Sequence, residues 1–305
     1  MIRFVSARTR FETLSSLEQP ALTAFTSRLG TPYWSRGDLA LYLGDCLEVM
    51  KSAPDGDVAL TVTSPPYNIG KEYESTLPLA GYLEWTSKWV SEVYRITAPT
   101  GAFWLNLGYV SLEGRAKAIP LPYLLWDRIP FFLLQEVVWH YGAGVAARLM
   151  FSPRNEKWLW YVKDARDYTF NLDAVRDPNV KYPNQKKNGR IRVNALGKNP
   201  GDVWILPKVT TGQDMNGRRA SPERTEHPAQ FPLAVAKRIV LACSNPGDIV
   251  FDPLVGSGST LHAALLTGRA GVGIDRNERY LEIAARRLDA AVEAVQLELP
   301  ALPLR

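Results

Sequence analysis

The stretch Ile249-Val250-Phe251-Asp252-Pro253-Leu254-Val255-Gly256-Ser257-Gly258-Ser259-Thr260 leaves this chain few folds to choose from. A short apolar run ends in an acid, a glycine pair follows, and Ser259 and Thr260 open a helix that runs to Leu266, with Gly268 as its stop. Ala270-Gly271-Val272-Gly273-Ile274 then reads as the next parallel strand, with Asp275 at its carboxyl end. Gly256 and Gly258 let the backbone approach a ligand with no side chain between. Asp275 follows at nearly the spacing at which an acid meets a ribose in dinucleotide folds. The third glycine of that fingerprint is missing, which argues against NAD. A lone Gly-x-Gly would be a tight turn, but strand, loop, helix, strand and acid together mark a nucleoside site.

The remainder of the chain fits the same architecture. Leu39–Leu43 reads as a strand ended by Gly44-Asp45, with a short helix, Leu47 to Ser52, after it. Val58–Thr63 is a strand, Tyr82–Ile96 a helix, and Thr97–Gly101 a stop before the strand Ala102–Leu107. A helix around Pro122–Asp127 and strands at Phe131–His140 and Glu156–Val162 follow. Pro232 opens a helix through Cys243, and Asp248–Phe251 is the strand before the glycine loop. Asn277 can cap a last helix whose stripe, Leu281, Ala284, Leu288, Val292 and Val295, is core packing. Strands alternating with helices predict an α/β fold, a mostly parallel mixed sheet with helices on both faces. Residues 1–30 are polar and weakly patterned, which predicts a peripheral arm.

Ser64-Pro65-Pro66-Tyr67 ends the strand Val58–Thr63 as a rigid, extended corner, since each proline fixes φ and neither can donate. Proline carbonyls are left there as acceptors, between a serine hydroxyl and an aromatic ring. The corner suits a flat ring carrying an exocyclic amine.

Between about Asp164 and Glu226 the pattern breaks down. Lys181, Lys186, Lys187, Arg190, Arg192 and Lys198 are mixed there with Asn184, Gln185, Asn188, Asn194 and Asn199. A charge run alone reads as a solvated loop. Cations together with amides also match the groups that hold phosphates and read base edges, and the formal net charge of +5 agrees with a polyanionic partner. Two cysteines, Cys46 and Cys243, make no disulfide framework. Three histidines without Cys-x-x-Cys give a metal site little to draw on. No apolar run approaches the roughly 18 residues of a membrane span, and the first residues lack the apolar core of a signal peptide. A cytoplasmic protein with no membrane contact is the expectation.

Tyr-Leu-Gly-Asp-Cys (42–46), Thr-Ser-Pro-Pro-Tyr-Asn (63–68), His-Pro-Ala-Gln-Phe-Pro (227–232) and Phe-Asp-Pro-Leu-Val-Gly-Ser-Gly-Ser-Thr (251–260) occur in this order. Together they resemble the amino-group DNA methyltransferases that use S-adenosylmethionine. The catalytic motif precedes the cofactor motif, as in the permuted branch often called beta. The resemblance covers about Leu39 to Leu288. It implies a Rossmann-like methyltransferase fold in which 31–163 is the catalytic half, 164–226 an inserted target-recognition segment and 227–305 the cofactor half.

The resemblance also implies roles. Asp45 and the backbone at Cys46 would hold the adenine of the cofactor, and Asp275 both ribose hydroxyls. The loop from Gly256 through Ser257 and Gly258 to Ser259 and Thr260, with Asp252 nearby, would underlie the methionine portion. The segment His227–Pro232, including Gln230 and Phe231, would close over it. Many relatives carry lysine where this chain has Phe231, and histidine where it has Asn155. Ser64, Pro65, Pro66 and Tyr67 would be catalytic, with Ser64 and the Pro65 carbonyl accepting the amine hydrogens of a flipped-out base that stacks on Tyr67. Lys181, Lys186, Lys187, Arg190, Arg192 and Lys198 would contact double-stranded DNA. Serine at position 64 leans towards cytosine-N4, where adenine enzymes of the family typically carry aspartate. Adenine-N6 methylation remains the alternative, then a catalytically silent DNA-binding subunit, then methylation of RNA or protein. A homodimer and a cognate restriction endonuclease are the further partners the resemblance suggests.

Overall fold

The computed structural model describes residues 20–70, 76–142, 144, 146–209 and 221–298. Nine of the described strands make one sheet. Their spatial order is β1 (Trp34–Arg36), β2 (Leu39–Leu43), β13 (Ala270–Asp275), β12 (Ile249–Asp252), β3 (Val58–Thr63), β4 (Thr97–Leu107), β8 (Asn155–Val162), β7 (Phe132–His140) and β11 (Val203–Ile205). From β2 to β4 neighbours run parallel. β8 is antiparallel to β4 and β7, and β11 lies parallel to β7.

Side chains alternate across this sheet and so build two layers. Phe103 and Leu105 of β4 pack on one face, Ala102 and Trp104 on the other. The first face is covered by α1 (Pro20–Leu29), α2 (Cys46–Met50), α3 (Leu79–Ile96) and α4 (Leu121–Leu124), which supply Phe25, Met50, Trp89 and Leu121. The second is covered by α5 (Leu233–Cys243) and α6 (Ser259–Leu266), with Val235, Ile239, Ala263 and Ala264 in the core. The stripe Leu281, Ala284, Leu288 and Val292 of α7 (Glu278–Glu298) packs on Leu39 and Leu41. Asn277 caps that helix, its Oδ1 accepting from the Arg279 amide at 3.0 Å.

Five features depart from the sequence expectation. The segment expected as a peripheral arm carries α1, whose Phe25 is fully buried edge-on against Phe251. Leu22 and Phe25, with Leu29 partly buried beside them, dock a helix that its polar neighbours conceal; residues 1–19 lie outside the described residues. Thr97 does not open a loop. Its hydroxyl donates to the Val93 carbonyl at 2.6 Å and its backbone turns extended, so α3 passes directly into β4, opposite Val58. Between β4 and α4 lies a small hairpin, β5 (Tyr109–Leu112) with β6 (Ala116–Pro120). α4 ends at Leu124 rather than Asp127. The basic stretch is ordered in part. β9 (Lys186–Lys187) and β10 (Arg190–Ile191) form a hairpin, while β11 returns to the main sheet and stacks Trp204 on Trp104 at 5.7 Å.

No helix among the described residues is long and apolar enough to cross a membrane, and no described cluster of histidine, cysteine and carboxylates could hold a metal.

Candidate active site

Parallel strands deliver their carboxyl ends to one edge, which is where open α/β sheets bind ligands. Asp45 follows β2, Asp275 ends β13, Asp252 ends β12 and Ser64 follows β3. The antiparallel β8 brings its first residues, Asn155 and Glu156, to the same edge opposite His140 and Trp139 of β7, next to Lys157, which pairs with Leu107 of β4. From β2 to β3 is three strand spacings, about 14 Å.

The glycine loop is held from three sides. Gly256 has φ of 49° and its amide donates to Asp275 Oδ2 at 3.0 Å, while Asp275 Oδ1 accepts from the Asn277 amide at 2.9 Å. Each carboxylate oxygen thus keeps lone-pair capacity. Burial raises the Asp275 pKa, and those amide bonds partly oppose the shift. Asp252 is fully buried and pushed up to about 7, despite hydrogen bonds that include Thr260 Oγ1 at 2.8 Å and the Leu254 amide at 3.1 Å. Thr260 Oγ1 also lies 3.2 Å from the Val62 carbonyl, which joins the loop to the strand that ends at Ser64.

Other candidate residues spend their side chains inside the protein. Ser259 donates to the Phe231 carbonyl at 3.0 Å and accepts from Arg287 Nη1 at 2.9 Å. The Ser257 carbonyl accepts from the same guanidinium at 3.1 Å. Gln230 Oε1 holds the Thr225 amide and hydroxyl, and its Nε2 donates to the Glu223 carbonyl at 2.8 Å. Phe231 packs edge-on against Trp158. Asp45 caps α2 through the Leu47 amide at 2.9 Å. Burial pushes the Cys46 and Cys243 thiols up to about 12, so neither offers a thiolate nucleophile near neutrality.

His227 lies over the loop: a methyl group on Gly256 would sit 2.8 Å from its Nε2. Burial lowers its pKa to about 4, and its Nδ1 accepts from the Ala229 amide at 3.2 Å. The neutral ring therefore carries its proton on Nε2, facing the loop.

At the proline corner, Asn106 Oδ1 accepts from Ser64 Oγ at 2.9 Å and from the Tyr67 hydroxyl at 2.5 Å. Asn106 Nδ2 donates to the Lys157 carbonyl at 3.0 Å, which fixes the amide with its oxygen towards the hydroxyls. Tyr67 OH also lies 3.4 Å from Glu156 Oε2 and 3.3 Å from Ser64 Oγ. Burial raises the Glu156 pKa, against the pull of Lys208 and the hydrogen bonds of Tyr67 and Asn106. The two proline carbonyls differ. That of Pro66 accepts from Tyr82 OH at 2.8 Å, contrary to the sequence expectation, whereas no described residue donates to that of Pro65. The Tyr67 ring rests against Gly108, where an added Cβ would lie 2.6 Å away.

The basic residues divide in two. Lys198 is ion-paired with Asp177 at 3.2 Å, and Lys181 lies over the Tyr182 ring. Lys186, Lys187, Arg190 and Arg192 are exposed on or beside the β9–β10 hairpin, and none has an ion pair among the described residues. Lys187 stands directly opposite Arg190, a like-charge pair that is unfavourable without a counter-anion.

Asn106, Glu156, Lys208, Tyr82 and Arg287 were absent from the sequence-derived site, and His227 entered it only as the first residue of the closing segment His227–Pro232. Asn106 and Glu156 reach it only through pairing of β4 with β8, which no local pattern announces. His227 stood in a recognised motif, and its place over the glycine loop gives it weight.

Residues 58–286 match the N6/N4 methyltransferase family model, described as DNA methylase. The chain is 57% identical over 267 residues to the type II methyltransferase M.ScaI of Streptomyces caespitosus, covering 88% of this chain and 86% of that one. It is 33% identical over 262 residues to the DNA adenine methyltransferase YhdJ of Escherichia coli (strain K12), covering 81% and 82%. Among solved structures, the PvuII DNA methyltransferase (cytosine-N4-specific) superposes with a TM-score of 0.68 at 17% identity, over 87% of this chain and 94% of that one. The last is a likeness of fold, and it agrees with the mostly parallel sheet and its two helical layers. Members of the matched family draw their methyl group from S-adenosylmethionine. With the family model spanning the proline corner, the glycine loop and Asp275, the chain belongs to the N6/N4 family of DNA methylases.

Proposed function

We propose that this enzyme methylates the exocyclic N4 amine of a cytosine extruded from double-stranded DNA, as the modification member of a type II restriction system with a cognate endonuclease. The observation that carries the reading is the 2.9 Å bond from Ser64 Oγ to Asn106 Oδ1. With its hydrogen committed there, Ser64 turns only lone pairs to a substrate, and the Pro65 carbonyl is a second acceptor. An exocyclic amine has two hydrogens to give. Accepting both draws the nitrogen towards tetrahedral geometry and frees the lone pair that was delocalised into the ring.

S-Adenosylmethionine supplies an activated methyl group on a sulfonium, so the protein's task is chiefly positioning. Asp45 and the Cys46 backbone would hold the adenine, and the Asp275 carboxylate the ribose hydroxyls. The loop from Gly256 through Ser257 to Gly258 would lie beneath the methionine portion near Asp252, with the Nε2–H of His227 above it. Gln230, Ser259 and Thr260 would act by holding that frame, since their side chains bond within the protein. The row of strand ends, about 14 Å long, suits such an elongated ligand. The methylated nitrogen must lose a proton. Ser64 Oγ and Tyr67 OH stand in series towards Glu156, at 3.3 and 3.4 Å. After methyl transfer the Ser64 and Tyr67 hydroxyl hydrogens would turn from Asn106 Oδ1 into this series, so that Ser64 takes the amine proton as its own passes to Tyr67, whose proton passes to the Glu156 carboxylate. Residues 164–226 would select the target, with Lys186, Lys187, Arg190 and Arg192 on phosphates and Lys181 and Lys198 nearby.

The second reading is adenine-N6, supported by the adenine specificity in the name of a relative 33% identical to this chain. Serine in place of the aspartate of the family's adenine enzymes favours cytosine. Labelled methyl transfer to DNA, RNA and protein side by side tests the substrate class; label in RNA or protein alone would reject this reading.

A further inference from the structure

The described residues of the loop between β7 and β8 (141, 142, 144 and 146–154) rise from the same sheet edge as Ser64. Its root is closed by the Tyr141 amide on the Arg154 carbonyl at 3.1 Å and by the pairing of His140 with Asn155. The next residue, Glu156, lies 3.4 Å from the Tyr67 hydroxyl, so the loop stands beside the catalytic corner. Near its end the Ala147 amide donates to Ser152 Oγ at 2.9 Å, which confines Arg148-Leu149-Met150-Phe151 to a tight excursion. Leu149 is 92% exposed and Phe151 is 99% exposed. Neither side chain contributes to the core, and such a tip invites association.

We propose that Phe151, flanked by Leu149, is a wedge that enters the base stack and fills the space vacated by the extruded target nucleotide. This rests on the reading of the protein as a DNA base methyltransferase. A base held at Ser64 leaves its gap in the duplex facing this edge, and a folded-back loop of this length reaches about 20 Å from its root. Proteins that unstack a duplex insert phenylalanine, leucine or methionine between base steps. A flat ring can restore contact with both neighbouring bases. Arg148 at the tip and Arg154 at the root place cations around the apolar residues, which matches a partner with an apolar interior and an anionic rim.

The test compares full-length wild type, Phe151→Ala and Leu149→Ala on two duplexes carrying the site mapped in DNA from an expressing host. In one the target base is paired; in the other it is mispaired, so that extrusion costs less. Phe151→Ala should lower kcat/KM on the paired duplex by about 10- to 100-fold while staying near wild type on the mispaired one, with Leu149→Ala intermediate. Equal losses on both duplexes, or none on either, overturn the wedge. Retained methylation with loss of binding to anionic vesicles would assign the tip to a lipid surface instead. Wild type inactive on both duplexes overturns the methylation reading itself, and the wedge with it.

Discussion

Ser64, just past the end of β3, and Asn106, on the neighbouring parallel strand β4, share a hydrogen bond of 2.9 Å whose direction is set from behind by Lys157. The Asn106 amide nitrogen is spent on the Lys157 carbonyl, so its oxygen must face the corner. Ser64 is thereby made an acceptor towards whatever enters. Ser64→Ala should lower kcat on the order of 100-fold with cofactor affinity nearly intact. Asn106→Ala should cost about tenfold, because it frees the hydroxyl without removing it. Steady-state kinetics on DNA, with calorimetry for the cofactor, separate the two effects; normal turnover of Ser64→Ala contradicts its role.

Glu156 is a buried carboxyl with a raised pKa, placed to receive a proton through Tyr67. The ionised form is the acceptor, so kcat should fall as pH drops through that raised pKa and level off above it. Glu156→Gln should lower kcat with little change in KM and remove the acidic limb of the profile. If the Glu156→Gln enzyme keeps the wild-type limb, another group titrates.

Asp275 joins the glycine loop to a candidate ribose site through the Gly256 amide. Asp275→Ala should weaken S-adenosylmethionine binding by roughly 100-fold, the worth of two hydrogen bonds to a charged acceptor. The measurement is the dissociation constant by calorimetry, and an unchanged value excludes the ribose contact.

Much of this site could be read in the sequence, for reasons that vary by residue. Ser64, the glycine pair and Asp275 announce themselves because backbone rigidity and φ above zero at Gly256 and Gly258 demand particular residue types. The carboxyl-edge location follows from strand–helix alternation alone. Asn106 and Glu156 were hidden because their contact depends on antiparallel pairing of β4 with β8 across distant sequence. Phe25 was hidden by polar neighbours in a helix whose described residues bury Leu22 and Phe25 in the core, with Leu29 partly buried against it. Tyr67 was visible as an aromatic at the corner, but its tie to Asn106 and its seat on Gly108 were not.

Lys187 opposite Arg190 is a repulsive pair that a phosphate would relieve. Neutralising Lys186 and Lys187 together should weaken DNA affinity and reduce the log–log salt slope by about 1.8, near 0.9 for each phosphate no longer neutralised. Titrations at several salt concentrations read this directly; an unaltered slope returns the hairpin to a solvated surface.

The central claim is the identity of the amine that Ser64 receives. DNA from a host expressing the wild-type chain, digested to nucleosides and analysed by mass spectrometry, should contain N4-methylcytosine that is lost with Ser64→Ala. N6-methyladenine alone, equally dependent on Ser64, would contradict the cytosine assignment.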